Sequence, residues 1–223
     1  MTKFELPELA IFDMDGTMLD TEPLSMEGWH VATKEMGFDI SPESFKTIFE
    51  KIIGTNTENC KAILHKLVGE TFDTERAFAI HLAYMDSYFE RHGVPIKPGL
   101  IELLNKLEQL NIKKCVATSS LKARAIKKLT EAGLAHRFEV IVGGDDVMRS
   151  KPNPDIFLKA AKLCQISPSA CLVLEDSVAG TEGGYHAGMR VINIPDLVPP
   201  SDKVREMSVA VCKDLFEVAE MLG

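Results

Sequence analysis

The sequence has few of the features that mark secreted, membrane or nucleic-acid-binding proteins. Its five cysteines are odd in number, scattered and without a CxxC pair, which predicts buried free thiols in a reducing compartment. The net charge of −8 argues against a nucleic-acid partner, because such a surface needs a basic field. The first ten residues lack the basic and then apolar plan of a signal peptide, and no run of about 18 apolar residues occurs. We therefore expect a cytoplasmic protein that binds no membrane.

Six short apolar runs predict buried β-strands. They are rich in valine and isoleucine and do not alternate apolar with polar residues, which is typical of parallel strands covered on both faces. The runs are 9–12, 115–118, 140–142, 171–174, 191–194 and 209–211. Helical patterns separate most of them, such as the apolar stripe within 99–112. The alternation predicts an α/β fold with a Rossmann-like, doubly wound parallel sheet.

A long helical stretch interrupts this alternation after the first strand. Its helical patterns cover 25–37, 57–69 and 74–93. We therefore predict an α-helical cap domain of residues 20–95, inserted into an α/β core domain formed by residues 1–19 and 96–223. The proline- and glycine-containing segment 94–99 is the expected return hinge.

Polar side chains follow the predicted strands, and the carboxyl ends of parallel strands meet at one edge of a sheet. In chain order these side chains are Asp13, Asp15, Thr118, Ser119, Lys151, Glu175 and Asp176. Each one alone also fits a turn, a helix N-cap or a solvated surface residue. Their placement at a single edge, with complementary chemistries, favours a functional site.

The carboxylates of this set suit a magnesium ion and a phosphoryl group. Asp13, Asp15, Glu175 and Asp176 supply the oxygen ligands that Mg²⁺ prefers. With an ordinary pKa of about 3.9, Asp13 would be an anion at neutral pH and could attack phosphorus to form an aspartyl phosphate. Asp15 would then act as general acid and base, a role that requires a raised pKa, which the neighbouring carboxylates would favour.

The remaining members of the set suit a phosphate group. Thr118 or Ser119 can donate hydroxyl and backbone hydrogen bonds to a phosphate at a helix N-terminus. Lys151 adds a compact positive charge. The sequence thus predicts transfer of a phosphoryl group from a small phosphorylated metabolite.

Four motifs resemble those of the haloacid dehalogenase superfamily. They are DMDGT at 13–17, ATSS at 117–120, SKPNPDIF at 150–157 and LEDSVAG at 174–180. Their order and spacing match across nearly the whole chain, and the insertion resembles the helical cap of the β-phosphoglucomutase-like branch. The resemblance implies that Asp13 is the nucleophile, and that Asp15 is the acid/base and binds Mg²⁺ through its backbone carbonyl. It further implies that Asp176 and Glu175 complete the metal site, while Lys151 and Ser119 or Thr118 bind the phosphoryl group.

Departures from relatives favour a phosphatase. Dehalogenases of this fold lack the second aspartate, so Asp15 argues against that chemistry. The mutase has a histidine after its first motif and an arginine in the cap loop, where this chain has Ser25 and Thr57. Two alternatives stay open at this point: a phosphomutase, and a non-catalytic phospho-accepting signalling domain. The leaving group stays open as well, because sugar phosphates and nucleotide monophosphates both fit.

The cap loop 51–59 is expected to close over the substrate. Asn56, Thr57 and Glu58 are then candidates for reading the leaving group, although Thr57 equally fits the N-cap of a helix. Since a cap can cover the site without a partner subunit, we expect a monomer.

Overall fold

The six predicted strands form one parallel sheet in the computed structural model, which describes residues 4–38, 40–53, 55 and 57–223. The strands are β1 Leu9–Phe12, β2 Lys113–Ala117, β3 Ile141–Val142, β4 Cys171–Glu175, β5 Arg190–Asn193 and β6 Ala210–Val211. Their order across the sheet is β3-β2-β1-β4-β5-β6. Strand order reverses beside β1, and ligands of such sheets bind beyond the carboxyl ends of the strands at this switch point. The predicted fold class is confirmed.

Helices cover both faces of the sheet. They are α1 Glu22–Glu35, α2 Pro42–Ile52, α3 Thr57–Val68, α4 Thr74–His92, α5 Leu100–Gln109, α6 Lys122–Glu131, α7 Asp155–Cys164, α8 Val178–His186, α9 Asp202–Met207 and α10 Leu215–Met221. Phe12 packs in one buried cluster with side chains of α5, α6 and α10, whereas Ile11 packs in a second cluster with side chains of α7. Successive strand residues therefore point to opposite cores, which explains why the strand sequences show no polar alternation.

Helices α1 to α4 lie between β1 and β2 and share a separate apolar cluster. Trp29, Phe45, Leu64 and Phe72 are all buried in it. Helix α2 is not among the helical segments named from the sequence, although Ser41 caps its start by accepting a hydrogen bond from the Ser44 backbone N–H at 3.2 Å. The division into a core domain of 1–19 and 96–223 and a cap domain of 20–95 stays a prediction.

The chain leaves for this helical insertion and returns from it along paired segments. The Asp20 backbone N–H donates to the Pro95 carbonyl at 3.0 Å, and the Lys97 N–H donates to the Met18 carbonyl at 2.9 Å. These bonds hold the two ends of the insertion side by side, next to the end of β1. Among the described residues, each helix is too short or too polar to cross a bilayer.

Candidate active site

Three carboxylates meet where β1 and β4 end. Asp13 directly follows β1, and its backbone N–H donates to the Leu174 carbonyl of β4 at 2.9 Å. Oxygen atoms of Asp13, Glu175 and Asp176 all lie within 4.8 Å of one another. The Thr17 hydroxyl donates to Asp176 at 2.9 Å and fixes one of its oxygens. The structure thus brings together three of the four carboxylates that the sequence assigns to the metal.

Lys151 lies buried behind this carboxylate cluster. Its Nζ donates to Asp13 Oδ1 at 2.5 Å, to Glu175 Oε1 at 2.6 Å and to the Ala117 carbonyl at 3.1 Å. The other Glu175 oxygen accepts from the Ser177 backbone N–H at 3.0 Å and from its hydroxyl at 2.9 Å. With both oxygens engaged, Glu175 holds Lys151 in place, and Asp13 and Asp176 are the carboxylates better placed to bind a metal.

The electrostatics of the cluster show a deficit of positive charge. Burial raises the pKa of Asp13 to about 7, and the charge of Glu175 adds to this effect while Lys151 opposes it. Burial, together with the charges of Glu175 and Asp13, raises the pKa of Asp176 well above its usual range. The expectation of an ordinary Asp13 pKa is therefore wrong for the protein alone. Because a divalent cation would favour the ionised carboxylates, these residues fit Mg²⁺.

Two glycines make the close approach of these carboxylates possible. Gly180, in the first turn of α8, passes so near the Glu175 carboxylate that a Cβ at this position would overlap it. Gly16 has a φ of +88°, and a Cβ there would lie 2.5 Å from Asp176 Oδ2. Both positions therefore require glycine for steric reasons.

Asp15 points to a different set of partners. Its Oδ1 accepts from Lys128 Nζ at 2.6 Å and from the Thr21 hydroxyl at 2.7 Å, and its Oδ2 accepts from the Ser120 hydroxyl at 2.9 Å. Burial alone would raise the pKa of Asp15, but the Lys128 charge and these hydrogen bonds lower it overall. The expectation of a raised pKa is therefore wrong, because Lys128, a cation that was not predicted, and these hydrogen bonds outweigh the effect of burial.

Lys128 is the main site residue that the sequence interpretation missed. It lies in the middle of α6, 113 positions from Asp15, and no strand end or motif marks it. The only signal for it is its position on the helix that follows the ATSS motif. Thr21 could have been predicted more easily, because it lies only four residues after the DMDGT motif.

The hydroxyl-bearing loop after β2 lies beside the carboxylates. Thr118 is buried, with its backbone N–H bonded to the Val142 carbonyl at 3.0 Å and its hydroxyl accepting from the Ser120 N–H at 3.1 Å. Thr118 and Ser119 line the same cavity as Asp13. The structure therefore places both predicted phosphate-binding hydroxyls at the site.

This cavity has a volume of about 300 Å³ and lies between the strand ends and the helical insertion. Thr57, at the start of α3, lines it. Glu58 does not line the cavity. Its side chain is exposed and forms an ion pair with Lys61 at 3.3 Å. Asn56 lies outside the described residues.

Three more cavity residues come from the helices of the insertion. Burial, with the charges of Asp15 and Asp196, raises the pKa of Glu22 to about 8. The Ser25 hydroxyl lies 3.1 Å from His81 Nε2, so α4 supplies an imidazole next to the position where the mutase has its histidine. His81 is buried and also lines the cavity.

Comparison with known proteins agrees with this arrangement. Residues 10–194 match the family of haloacid dehalogenase-like hydrolases. Hexitol phosphatase A of Escherichia coli is 30% identical over 196 residues, which cover 87% of this chain and 87% of that protein. The phosphorylated carbohydrates phosphatase of Thermotoga maritima is 29% identical over 185 residues, which cover 83% of each.

Structural comparison gives the same fold. The crystal structure of a β-phosphoglucomutase from Clostridium difficile aligns with a TM-score of 0.78 at 23% identity, covering 97% of both chains. At that identity the likeness concerns the fold alone. The family match and the named relatives decide the class: the chain belongs to the haloacid dehalogenase-like hydrolase family and is an enzyme of its phosphatase type.

Proposed function

We propose that this enzyme is a Mg²⁺-dependent phosphatase that hydrolyses a small phosphorylated metabolite, a sugar phosphate or nucleotide monophosphate, through an aspartyl phosphate on Asp13. The observation that carries the proposal is the contact of Asp13 with the buried Lys151, beside Asp176 and open to the cavity. A carboxylate that is buried, oriented by a cation and accessible from a cavity has the geometry of a nucleophile.

In the first step, an Asp13 oxygen attacks phosphorus and the bond from phosphorus to the leaving oxygen breaks. Lys151 orients the Asp13 carboxylate and offsets the charge of the incoming phosphoryl group. Thr118 and Ser119, which follow β2 and line the cavity, would donate hydrogen bonds to the phosphoryl oxygens. When bound at Asp13 and Asp176, Mg²⁺ supplies the positive charge that lets one anion approach another.

Asp15 gives a proton to the leaving oxygen in this step and later takes one from water. That water attacks the phosphorus of the aspartyl phosphate, the bond to Asp13 breaks and inorganic phosphate leaves. In the arrangement described, Asp15 is held by Lys128, Thr21 and Ser120. Because these contacts lower the pKa of Asp15, proton transfer requires Asp15 to leave its pair with Lys128 and take up a proton from solvent before it contacts the leaving oxygen.

Steady-state hydrolysis of phosphate esters with and without Mg²⁺ tests the proposal. Asp13→Asn should abolish turnover, and chelation of the metal should do the same to the unchanged enzyme. Asp20→Asn is the matched control, because Asp20 lies on the same connection but pairs with Lys97 at 2.9 Å, away from the cluster. Undiminished turnover of Asp13→Asn would contradict the proposal.

The alternatives from the sequence gain no further support. The phosphomutase is no better supported than the phosphatase, and membership in a hydrolase family with named phosphatases speaks against a non-catalytic signalling domain. Closure of residues 20–95 as a cap, the Mg²⁺ contact of the Asp15 carbonyl, the monomeric state and the cytoplasmic location remain predictions.

A further inference from the structure

The cavity has two unlike walls. The wall from the sheet carries the carboxylates and hydroxyls described above, whereas the wall from the helical insertion is mostly apolar, with Glu22, Ser25 and His81 among its polar members. The apolar wall consists of Trp29, Phe49, Ile52, Phe78, Leu82 and Met85. A wall of this kind stabilises only a leaving group that presents an apolar face, because burial of polar hydroxyls against it would leave them without hydrogen bonds.

The charges around the cavity disfavour a second anionic group on the substrate. Of the described residues that line it, the lysine and arginine side chains are Lys128 and Arg124, and both are already paired. Lys128 contacts Asp15 at 2.6 Å, and Arg124 contacts Asp86 at 3.1 Å. Glu22, the buried acidic residue on that side, supplies no positive charge, so a carboxylate or second phosphate would be buried there without a free cation.

Few polar groups of the insertion are available to a leaving group. The Ser25 hydroxyl and His81 lie 3.1 Å apart, and His81 Nδ1 is buried without a partner within the described part of the chain. The Thr55 hydroxyl is engaged with the Ile52 carbonyl at 2.6 Å. A leaving alcohol would therefore meet a few polar groups, those of Glu22, Ser25 and Thr57, and an apolar surface elsewhere.

We infer that the preferred substrate is a phosphate monoester of an uncharged alcohol whose body presents an aromatic or alicyclic face to the apolar wall of Trp29, Phe78 and Leu82. The inference rests on the proposed phosphatase function and narrows its substrate class. We therefore expect phosphate esters of flat, neutral alcohols to be better substrates than those of linear polyols. Bisphosphates and phosphorylated acids should be poor substrates.

Matched esters separate these classes. Sorbitol 6-phosphate and 6-phosphogluconate differ at the far end by a hydroxymethyl group against a carboxylate, and benzyl phosphate adds the apolar face. With Mg²⁺ present, we expect kcat/KM for benzyl phosphate to exceed that for sorbitol 6-phosphate by about tenfold or more. The value for 6-phosphogluconate should fall about tenfold below that for sorbitol 6-phosphate.

A variant of the apolar wall tests the assignment to residues. Leu82→Gln places an amide on the wall and should lower kcat/KM for benzyl phosphate about tenfold, with a smaller effect on sorbitol 6-phosphate. Leu163→Gln, at an exposed leucine of α7 that does not line the cavity, should leave both values within about twofold of the unchanged enzyme.

The outcomes distinguish the inference from the function on which it rests. If none of the three esters is cleaved with Mg²⁺, the proposed phosphatase function is contradicted and the inference falls with it. If the esters are cleaved but sorbitol 6-phosphate or 6-phosphogluconate is preferred, the inference alone is overturned. Equal losses on both esters in Leu82→Gln would likewise overturn the role of the wall.

Discussion

His81 should make the folded protein sensitive to mild acid. Its ring stacks on Trp29 with centroids 4.4 Å apart and an interplanar angle of 16°, and its Nε2 contacts the Ser25 hydroxyl. Burial lowers the pKa of His81 to about 3, and the charges of Lys128 and Arg124 act in the same direction. The imidazole therefore stays neutral in the folded protein throughout the range in which enzymes are usually assayed.

The size of the effect follows from proton linkage. In the unfolded chain His81 takes up a proton near its ordinary pKa of 6.5, but in the folded protein only near 3. The stability that the neutral imidazole contributes is complete above pH 6.5 and is lost as the pH falls from 6.5 toward 3. Because each pH unit below the unfolded pKa changes the free energy by about 1.4 kcal/mol, the loss at pH 5 is about 2 kcal/mol.

Urea unfolding followed by circular dichroism measures this loss. His81→Gln removes the titrating group but keeps a polar side chain, so its free energy of unfolding should fall less between pH 7 and pH 5, by about 2 kcal/mol. His186→Gln, at an exposed position of α8, is the control and should follow the unchanged protein. Parallel curves for His81→Gln and the unchanged protein would refute the reasoning, because another group would then carry the acid sensitivity.

Two further substitutions test the geometry around the carboxylates. Lys128→Met removes the cation that lowers the pKa of Asp15, so the alkaline limb of the pH profile of kcat/KM should move to higher pH. Lys127→Met is the control and should leave this limb in place. An unmoved limb in Lys128→Met would show that Asp15 is not the group that transfers the proton. Gly180→Ala would push a methyl group into the Glu175 carboxylate. We expect kcat/KM to fall by about 100-fold and the free energy of unfolding to fall by about 2 kcal/mol. An unchanged kcat/KM would contradict the role given to this contact.

The sequence predicted the sheet and the acidic cluster because both leave local signals. Strands buried on both faces are continuous apolar runs, as in β1 and β4, and parallel strands bring their carboxyl ends to one edge. That rule alone predicted that Asp13 and Asp176 lie close together, although they are far apart in the sequence. The four motifs then gave the family.

The missed features depend on tertiary packing. Lys128 reaches Asp15 only because α6 packs against the sheet next to the hydroxyl loop, and nothing in its local sequence distinguishes it from Lys127. Asp13 was expected to have an ordinary pKa, and Asp15 a pKa raised by its carboxylate neighbours, but burial and the paired cations decide both values. Side-chain burial around a site has no local sequence signal, so neither shift could be read in advance.

The central claim is that Asp13 becomes covalently phosphorylated. Rapid quenching during turnover, borohydride reduction of the trapped acyl phosphate and peptide mapping by mass spectrometry test it most directly. We predict homoserine at position 13 when substrate and Mg²⁺ are both present, and aspartate there when either is omitted. Homoserine at another position, or turnover with position 13 still aspartate in samples quenched at saturating substrate, would contradict the account.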